Sequence, residues 1–347
     1  MTANQSPPPR RNHLGLPPEQ NVLVRGLKKA GYTAVGFGKW HLGYEPKFGP
    51  LKHGFDHFFG PLGGGVDYFY HCEWDGVHML YEDEKPVHCE GHMTDLITDR
   101  AVRFVDDYRS RRPFFLYLPY TVPHTPMQAP GEKPPTAKTQ ENWNEGTRET
   151  YVAMVEHFDT CVGKVLRAIE DRGLTDNTLV IFASDNGGTK LARNAPFSGF
   201  KGGLMEGGIR EPCFVRWPGV IPEGTVSDQT AIMMDMTVSM LRVAGIEPPK
   251  DLPPDGIDIL ARIEQGRPVL PRILFWRQRR SDLTWRAVRD GSLKYLTHQK
   301  GGPIEESLFD LERDPAEKHN LLDARPEDTA RLKKLLADWE NDVRPSR

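Results

Sequence analysis

The chain has 347 residues, a formal net charge of −3 and 38% hydrophobic residues. This length suits one large domain or a large and a small one, with enough apolar residues for a packed core. The nearly balanced charge gives no indication of nucleic acid or an anionic membrane as a main partner, and no apolar run is long enough to predict a membrane span. The cysteines are too scattered to indicate a disulfide framework: Cys72, Cys89, Cys161 and Cys213.

The first twenty residues are polar and rich in proline, which predicts a tail or a severed connection without regular structure. They do not have the pattern of a secretory signal, so the sequence leaves the compartment open. Beyond this tail we expect a main domain over residues 21–270 and a small domain over residues 271–347.

Residues 19–31 are predicted to form a helix with one apolar face that stops at a glycine. A short buried strand is predicted next, at residues 33–37. Lys39 and His41 follow this strand, between Gly38 and Gly43. A cation and an imidazole are therefore expected at a strand terminus.

Residues 44–92 are predicted to be dominated by loops, and they include three consecutive glycines at positions 63–65. The same stretch holds residue types that bind zinc, namely His71, Cys72, His88, Cys89 and His92. Their spacing matches no common zinc motif, so the sequence does not favour a metal site there.

Two amphipathic helices are predicted at residues 93–111 and 150–172, with a fully apolar strand at residues 113–119 between them. Past the end of that strand, His124 lies in a loop bounded by Pro123 and Pro126. The two prolines restrict the backbone and so hold the imidazole in a stiff loop.

Residues 178–183 are predicted to form a strand that is buried on both faces, as in a parallel sheet. The strand leads into Asp185 and Asn186, followed by two glycines that allow a sharp turn. A carboxylate and an amide oxygen in this position suit a hard cation such as Ca²⁺ or Mg²⁺. Taken alone, the same residues are more typical of an Asx turn with no ligand.

A glycine-rich loop containing Lys201 comes next, followed by a predicted strand at residues 213–217 and a helix at residues 232–244. From about residue 271 the pattern changes to short strands, with Asp290-Gly291 as a hairpin turn. An amphipathic helix is predicted at residues 325–343. This part of the chain is predicted to form a small α+β domain.

The polar residues named above all follow strand or loop ends. Because carboxyl ends of parallel strands meet at one edge of a sheet, we expect these side chains to face one crevice. Lysines, histidines and a cation together suit a tetrahedral oxyanion, since a histidine can protonate a leaving oxygen while the positive charges stabilise the anion. The set comprises Lys39, His41, His124, Asp185, Asn186 and Lys201.

At these residues the chain resembles the sulfatase family of the alkaline-phosphatase-like superfamily. The resemblance lies in residues 31–43, residues 184–187, Lys201 with residues 206–212, and residues 308–321. It implies an α/β fold with a mixed, largely parallel central sheet flanked by helices and a small C-terminal α+β domain. It also implies hydrolysis of sulfate esters of small molecules or carbohydrates.

The resemblance further implies a role for each site residue. Asp185 and Asn186 ligate a divalent cation, most often Ca²⁺, while Lys39 and Lys201 hold the sulfate. His124 binds the sulfate and helps to protonate the leaving alcohol. His41 assists the hydrate of formylglycine, the aldehyde nucleophile of the family.

Two family features are expected upstream of residues 31–43: an Asp-Asp metal pair and a C/S-x-P-x-R motif that yields formylglycine. Ser6 to Arg10 fit that motif by letter but lack its usual continuation, and all four cysteines come later. We therefore expect a chain that lacks the N-terminal nucleophile segment. Two alternatives stay open: a phosphoryl or phosphonate ester hydrolase of the same superfamily, and a non-catalytic relative that binds anions.

Overall fold

The computed structural model describes residues 14–137 and 142–343. Its strands are β1 Thr33–Phe37, β2 His57–Pro61, β3 Leu80–Glu82, β4 Lys85–Pro86, β5 Phe114–Tyr117, β6 Val180–Ala183, β7 Cys213–Arg216, β8 Ile273–Arg280, β9 Leu283–Asp290, β10 Leu293–Lys300 and β11 Glu305–Asp310. Its helices are α1 Val22–Lys29, α2 Met93–Asp107, α3 Arg148–Asp171, α4 Glu206–Ile209, α5 Met233–Val243, α6 Ile259–Glu264 and α7 Pro326–Asp342. Most of the predicted tail, including Ser6 to Arg10, lies outside the described residues.

The chain divides into two compact units. Unit 1 comprises Met1–Thr178, Trp217–Glu223 and Ala231–Gln265, and unit 2 comprises Leu179–Arg216, Gly224–Thr230 and Gly266–Arg347. The division predicted at residue 270 stays a prediction. Among the described residues, no helix is both long enough and apolar enough to cross a membrane.

Unit 1 is built on a five-stranded mixed sheet in the order β4-β3-β2-β1-β5. β1 runs parallel to both β2 and β5, whereas β3 and β4 are antiparallel additions at one edge. Ala34, Val35 and Phe37 of β1 are all buried, as expected for a strand covered on both faces. The parallel centre confirms the predicted fold class.

Residues 44–92 consist mainly of loops, as predicted, but the sequence pattern did not indicate β2, which pairs with β1 at the centre of the sheet. β2 has only five residues and ends in Gly60 and Pro61, which are both rare inside strands. Gly60 is required there because a Cβ atom would overlap the carbonyl group of Gly38. The close approach of the two backbones therefore accounts for the glycine in this strand.

The helices of unit 1 begin and end close to the predicted residues. Asn21 caps α1 by accepting a hydrogen bond from the Val24 amide at 3.2 Å, so the helix begins later than predicted. The apolar period of α3 predicts that Val155 faces inward, and this prediction is wrong. Val155 is exposed, whereas Met154 and Cys161 are fully buried where α3 packs against α2.

Unit 2 contains the strand that carries Asp185, and the predicted environment of this strand is wrong. β6 is only half-buried and pairs antiparallel with β7, with Ile181 opposite Val215. A short apolar run has the same appearance in a parallel and an antiparallel pair, so periodicity could not distinguish them.

The C-terminal part of unit 2 confirms the predicted α+β domain. β8 to β11 form an antiparallel sheet in sequential order. α7 packs on β9 and β10, and Leu332 and Leu336 of the helix share a buried core with Val288. The rings of Phe275 and Trp339 stack with centroids 5.1 Å apart.

Candidate active site

Backbone hydrogen bonds fix Lys39 and His41 at the carboxyl end of β1. The acceptors lie just beyond the ends of the two neighbouring strands, β5 and β2. The Lys39 amide donates to the Pro119 carbonyl at 2.7 Å, and the His41 amide donates to the Leu62 carbonyl at 3.1 Å. His41 has a φ of +57°, a left-handed conformation that non-glycine residues adopt at some cost. His41 is exposed, and its backbone is held in this conformation by the hydrogen bond to Leu62.

The three glycines at positions 63–65 make room for three side chains in succession. A Cβ atom on Gly63 would overlap the Glu73 carboxylate, and one on Gly64 would overlap the His41 ring. A Cβ atom on Gly65 would lie 3.1 Å from the His124 ring. These contacts place the imidazoles of His41 and His124 against adjacent residues of one backbone segment.

The His124 imidazole is oriented by its own loop. Nδ1 lies 2.9 Å from the Thr125 carbonyl oxygen, and because a carbonyl only accepts, Nδ1 carries the hydrogen. Nε2 is then the ring nitrogen suited to proton exchange with a substrate. The loop itself is held by the buried Tyr68, whose hydroxyl donates to the His124 carbonyl at 3.1 Å. Burial raises the pKa of Tyr68, so this hydroxyl keeps its proton.

In unit 2, the turn with Asp185 and Asn186 is joined to the Lys201 loop through the backbone. The Gly187 amide donates to the Gly208 carbonyl at 3.0 Å, and the Lys201 amide donates to the Gly188 carbonyl at 2.8 Å. Gly187 lies so close to Gly207 that a Cβ atom would overlap its carbonyl oxygen. The glycine-rich sequence thus lets two loops contact each other through their main chains.

The oxygen atoms of this turn are suited to a hard cation. The Asn186 amide nitrogen donates to the Gly187 carbonyl at 3.0 Å, which leaves Oδ1 as the ligand atom. Asp185 is exposed. The burial of Glu211 raises the pKa of its carboxyl group to about 7, and the negative charge of Asp185 contributes to this increase. A divalent cation would offset this repulsion between carboxylates. Sequence reasoning did not single out Glu211.

A buried ion cluster anchors the loop that bears Lys201, and sequence reasoning missed its central residue, Lys294. Its Nζ lies 2.9 Å from a carboxylate oxygen of Glu206 and 2.9 Å from one of Glu317. Glu317 also accepts a hydrogen bond from the Glu206 amide at 2.6 Å. The sequence feature that indicates such a cluster is a lysine between apolar residues of a strand. An unpaired charge buried there would be very costly, so a partner is required.

The structure brings together Lys39, His41 and His124 within unit 1, and Asp185, Asn186 and Lys201 within unit 2. That all six serve one crevice stays a prediction. The residue types noted for zinc do not gather as a set. The His71 Nε2 atom lies 3.1 Å from the Gly91 carbonyl oxygen, and the His88 ring packs on that of His78.

A mixed sheet flanked by helices, followed by an antiparallel C-terminal sheet, is a fold of the alkaline-phosphatase-like type. The chain belongs to the sulfatase family: the model of that family matches residues 2–246. A second model, described as N-sulphoglucosamine sulphohydrolase, C-terminal, matches residues 200–342.

Curated relatives carry the same family name. The chain is 36% identical to the N-acetylgalactosamine-6-sulfatase of Mus musculus over 282 residues, which cover 76% of this chain and 52% of the relative. It is 30% identical to the uncharacterized sulfatase YdeN of Escherichia coli over 278 residues, or 73% and 49% of the two chains. The chain thus spans about half the length of these relatives.

Solved structures show the same fold. The crystal structure of Ps i-CgsB superimposes with a TM-score of 0.85 at 29% identity, covering 97% of this chain and 78% of that one. The structure of BT4656 in complex with D-glucosamine-2-N,6-O-disulfate has a TM-score of 0.72 at 18% identity, covering 96% and 90%. The second comparison bears on the fold alone.

Proposed function

We propose that this chain provides the sulfate-binding and acid-catalytic residues of a hydrolase that acts on sulfate esters of carbohydrates. The observation that carries the proposal is the contact of Gly64 and Gly65 with His41 and His124 beside the strand end that bears Lys39. Two of the similar proteins support a carbohydrate substrate. One is an N-acetylgalactosamine-6-sulfatase, and the other is Ps i-CgsB, solved in complex with k-i-k-neocarrahexaose at 29% identity.

The proposed chemistry assigns a separate task to each side chain. Lys39 and Lys201 stabilise the negative charge of the sulfate oxygens. His124 gives a proton to the leaving alcohol from Nε2, because its Nδ1–H is already directed at the Thr125 carbonyl. This orientation does not require the substrate, so the acid is positioned before binding.

Asp185 and Asn186 are proposed to hold a divalent cation, with Ca²⁺ the best fit to a carboxylate and an amide oxygen. When bound, the cation would neutralise charge on the ester oxygens. The family nucleophile, formylglycine, has no assigned position among the described residues. The Ser6 to Arg10 match lies outside them, so no step is derived through it. His41 is proposed to act on that nucleophile's hydrate.

Sulfate release tests this function when a segment with the Asp-Asp pair and the C/S-x-P-x-R motif precedes the chain and a formylglycine-generating enzyme is co-expressed. We expect inorganic sulfate from 6-sulfated N-acetylgalactosamine, and far less phosphate from the matching phosphate ester. A preference for the phosphate ester would support the phosphoryl hydrolase instead. Release of neither product, with sulfate binding intact, would support the non-catalytic relative.

Removal of the Asp185 carboxylate should abolish Ca²⁺ binding. Two side chains supply only a few of the six to eight oxygens that Ca²⁺ takes, so we expect weak binding that calorimetry detects only at high protein concentration. Asp185→Asn should remove this heat, whereas Asp228→Asn, at an exposed position of the same unit, should not. Equal Ca²⁺ binding by both variants would show that the cation lies elsewhere.

A further inference from the structure

His92, Asp95, His157 and Cys161 form a cluster where α2 packs against α3, which we call the α2–α3 cluster. One ligand atom each from His92, Asp95 and His157 lies within 4.8 Å of the others. The Cys161 sulfur lies 3.6 Å from Nε2 of His157 and 3.8 Å from Oδ1 of Asp95. None of these four residues takes part in the sulfate chemistry proposed above.

The four residues come as two pairs with short spacing. His92 is the N-cap of α2, and Asp95 lies in the first turn of that helix. His157 and Cys161 are four residues apart on α3, so their side chains share one face. Two ligand pairs with such spacing, brought together by two packed helices, are typical of zinc sites. The sequence did not reveal this site because the pairs are about sixty residues apart and combine different residue types.

His92 is the strongest evidence for a ligand. Its Nε2 lies 3.1 Å from the Gln128 carbonyl oxygen, so Nε2 carries the hydrogen and Nδ1 carries the lone pair. The residue is only 5% exposed, and Nδ1 is buried without a hydrogen-bond partner among the described residues. A histidine that binds a metal through one nitrogen characteristically donates its other N–H to a carbonyl or carboxylate.

The distances among Asp95, His157 and Cys161 are close to those of a tetrahedral site. Ligand atoms about 2.0–2.3 Å from a zinc ion lie roughly 3.3–3.8 Å from one another, and both sulfur distances fall in this range. Nε2 of His157 and Oδ1 of Asp95 are 3.0 Å apart, a hydrogen-bonding distance that would widen slightly around an ion. Lys164 is the one competing cation near Asp95 among the described residues; its Nζ lies 3.9 Å from Oδ1 on a partly exposed side chain.

We propose that the α2–α3 cluster binds one Zn²⁺-type ion through Nδ1 of His92, a carboxylate oxygen of Asp95, Nε2 of His157 and the thiolate of Cys161. Two nitrogens and a sulfur select a borderline transition-metal ion over Ca²⁺ or Mg²⁺. Four protein ligands leave no open position, so the site is structural. The Cys161 thiol releases its proton when the ion binds.

The proposed site also supports the candidate active site. The Tyr68 ring stacks on His92 with centroids 4.9 Å apart, and the Tyr68 hydroxyl donates to the His124 carbonyl. His92 itself is bound to Gln128, four residues after His124. The ion would therefore fix the helices on which the His124 loop is supported.

Cobalt titration of the full chain tests the proposal. After treatment with a chelator, we expect the protein to bind one Co²⁺ per chain at this site. Binding should produce a thiolate-to-cobalt charge-transfer absorption that Zn²⁺ abolishes and excess Ca²⁺ does not. Cys161→Ser should remove this absorption, and His157→Gln should weaken Co²⁺ binding at least tenfold. Zn²⁺ should raise the melting temperature of the wild-type protein and not that of Cys161→Ser.

Matched controls separate this site from other thiols and from the proposed Ca²⁺ site. Cys213→Ser changes an exposed cysteine of unit 2, and Asp185→Asn changes the proposed Ca²⁺ ligand. Both should retain the charge-transfer absorption. The proposal is overturned if the wild-type protein shows no such absorption, or if the absorption survives in Cys161→Ser and disappears in Cys213→Ser. The wild-type spectrum decides the matter even if a variant fails to fold.

Discussion

Lys294→Met should destabilise the protein by about 3–5 kcal/mol, because it leaves two buried carboxylates without their cation. Lys294 is fully buried between Glu206 and Glu317. Burial already raises the pKa of Glu317 above its usual value, so the ionised carboxylate depends on this lysine. Urea denaturation should show the loss as a lower midpoint for unit 2.

The matched control is Lys300→Met, since Lys300 lies at the exposed end of the same strand. Surface charges of this kind contribute little to stability, so we expect a change below about 1 kcal/mol. If Lys294→Met were as stable as the control, the ion cluster would not anchor the Lys201 loop. Glu206→Gln combined with Lys294→Met should recover part of the lost stability, because it removes one of the stranded charges.

In the protein that carries the added nucleophile segment, His124→Ala should lower kcat/KM for a sugar sulfate by about a hundredfold, the usual scale for loss of a general acid. The loss should be much smaller for 4-nitrophenyl sulfate, because a nitrophenolate leaves without protonation. Sulfate release and nitrophenol absorbance measure the two reactions. This difference between substrates distinguishes proton donation from sulfate binding.

The control for this prediction is His319→Ala, which changes a largely exposed imidazole of unit 2 and should leave both rates unchanged. Equal losses for both substrates in His124→Ala would contradict a role as acid and would leave His124 only a binding role. The melting temperature checks that His124→Ala folds. We expect it to fold, because the Tyr68 hydroxyl donates to the main-chain carbonyl of His124, which the substitution retains.

Local sequence patterns predicted much of the fold. β1 has the predicted bounds, and α3 and α5 begin within two residues of the predicted positions. These elements have a strong apolar period, which is a property of each segment by itself. The sequence pattern did not indicate β2, and it predicted a parallel rather than an antiparallel neighbour for β6. Strand pairing depends on which other segment lies alongside, which a local pattern does not contain.

The candidate site shows the same division. Lys39, His124 and Asp185 were identified because each follows an apolar strand and matches a family motif. The glycines at 63–65 have the sequence pattern of loop residues. Their structural role depends on side chains from elsewhere in unit 1, for which they leave room. The partners of Lys294 and the α2–α3 cluster likewise join segments that are distant in sequence, so no local pattern indicates them.

Calorimetric binding of a sulfated sugar to this chain tests the central claim most directly, because it does not require the nucleophile. We expect 6-sulfated N-acetylgalactosamine to bind and the unsulfated sugar to bind at least about tenfold more weakly, from loss of charge-assisted contacts. Lys39→Ala should abolish this preference, whereas Lys47→Ala, at an exposed lysine paired with Glu45, should retain it. Equal affinity for the two sugars, or an unchanged preference in Lys39→Ala, would contradict the account.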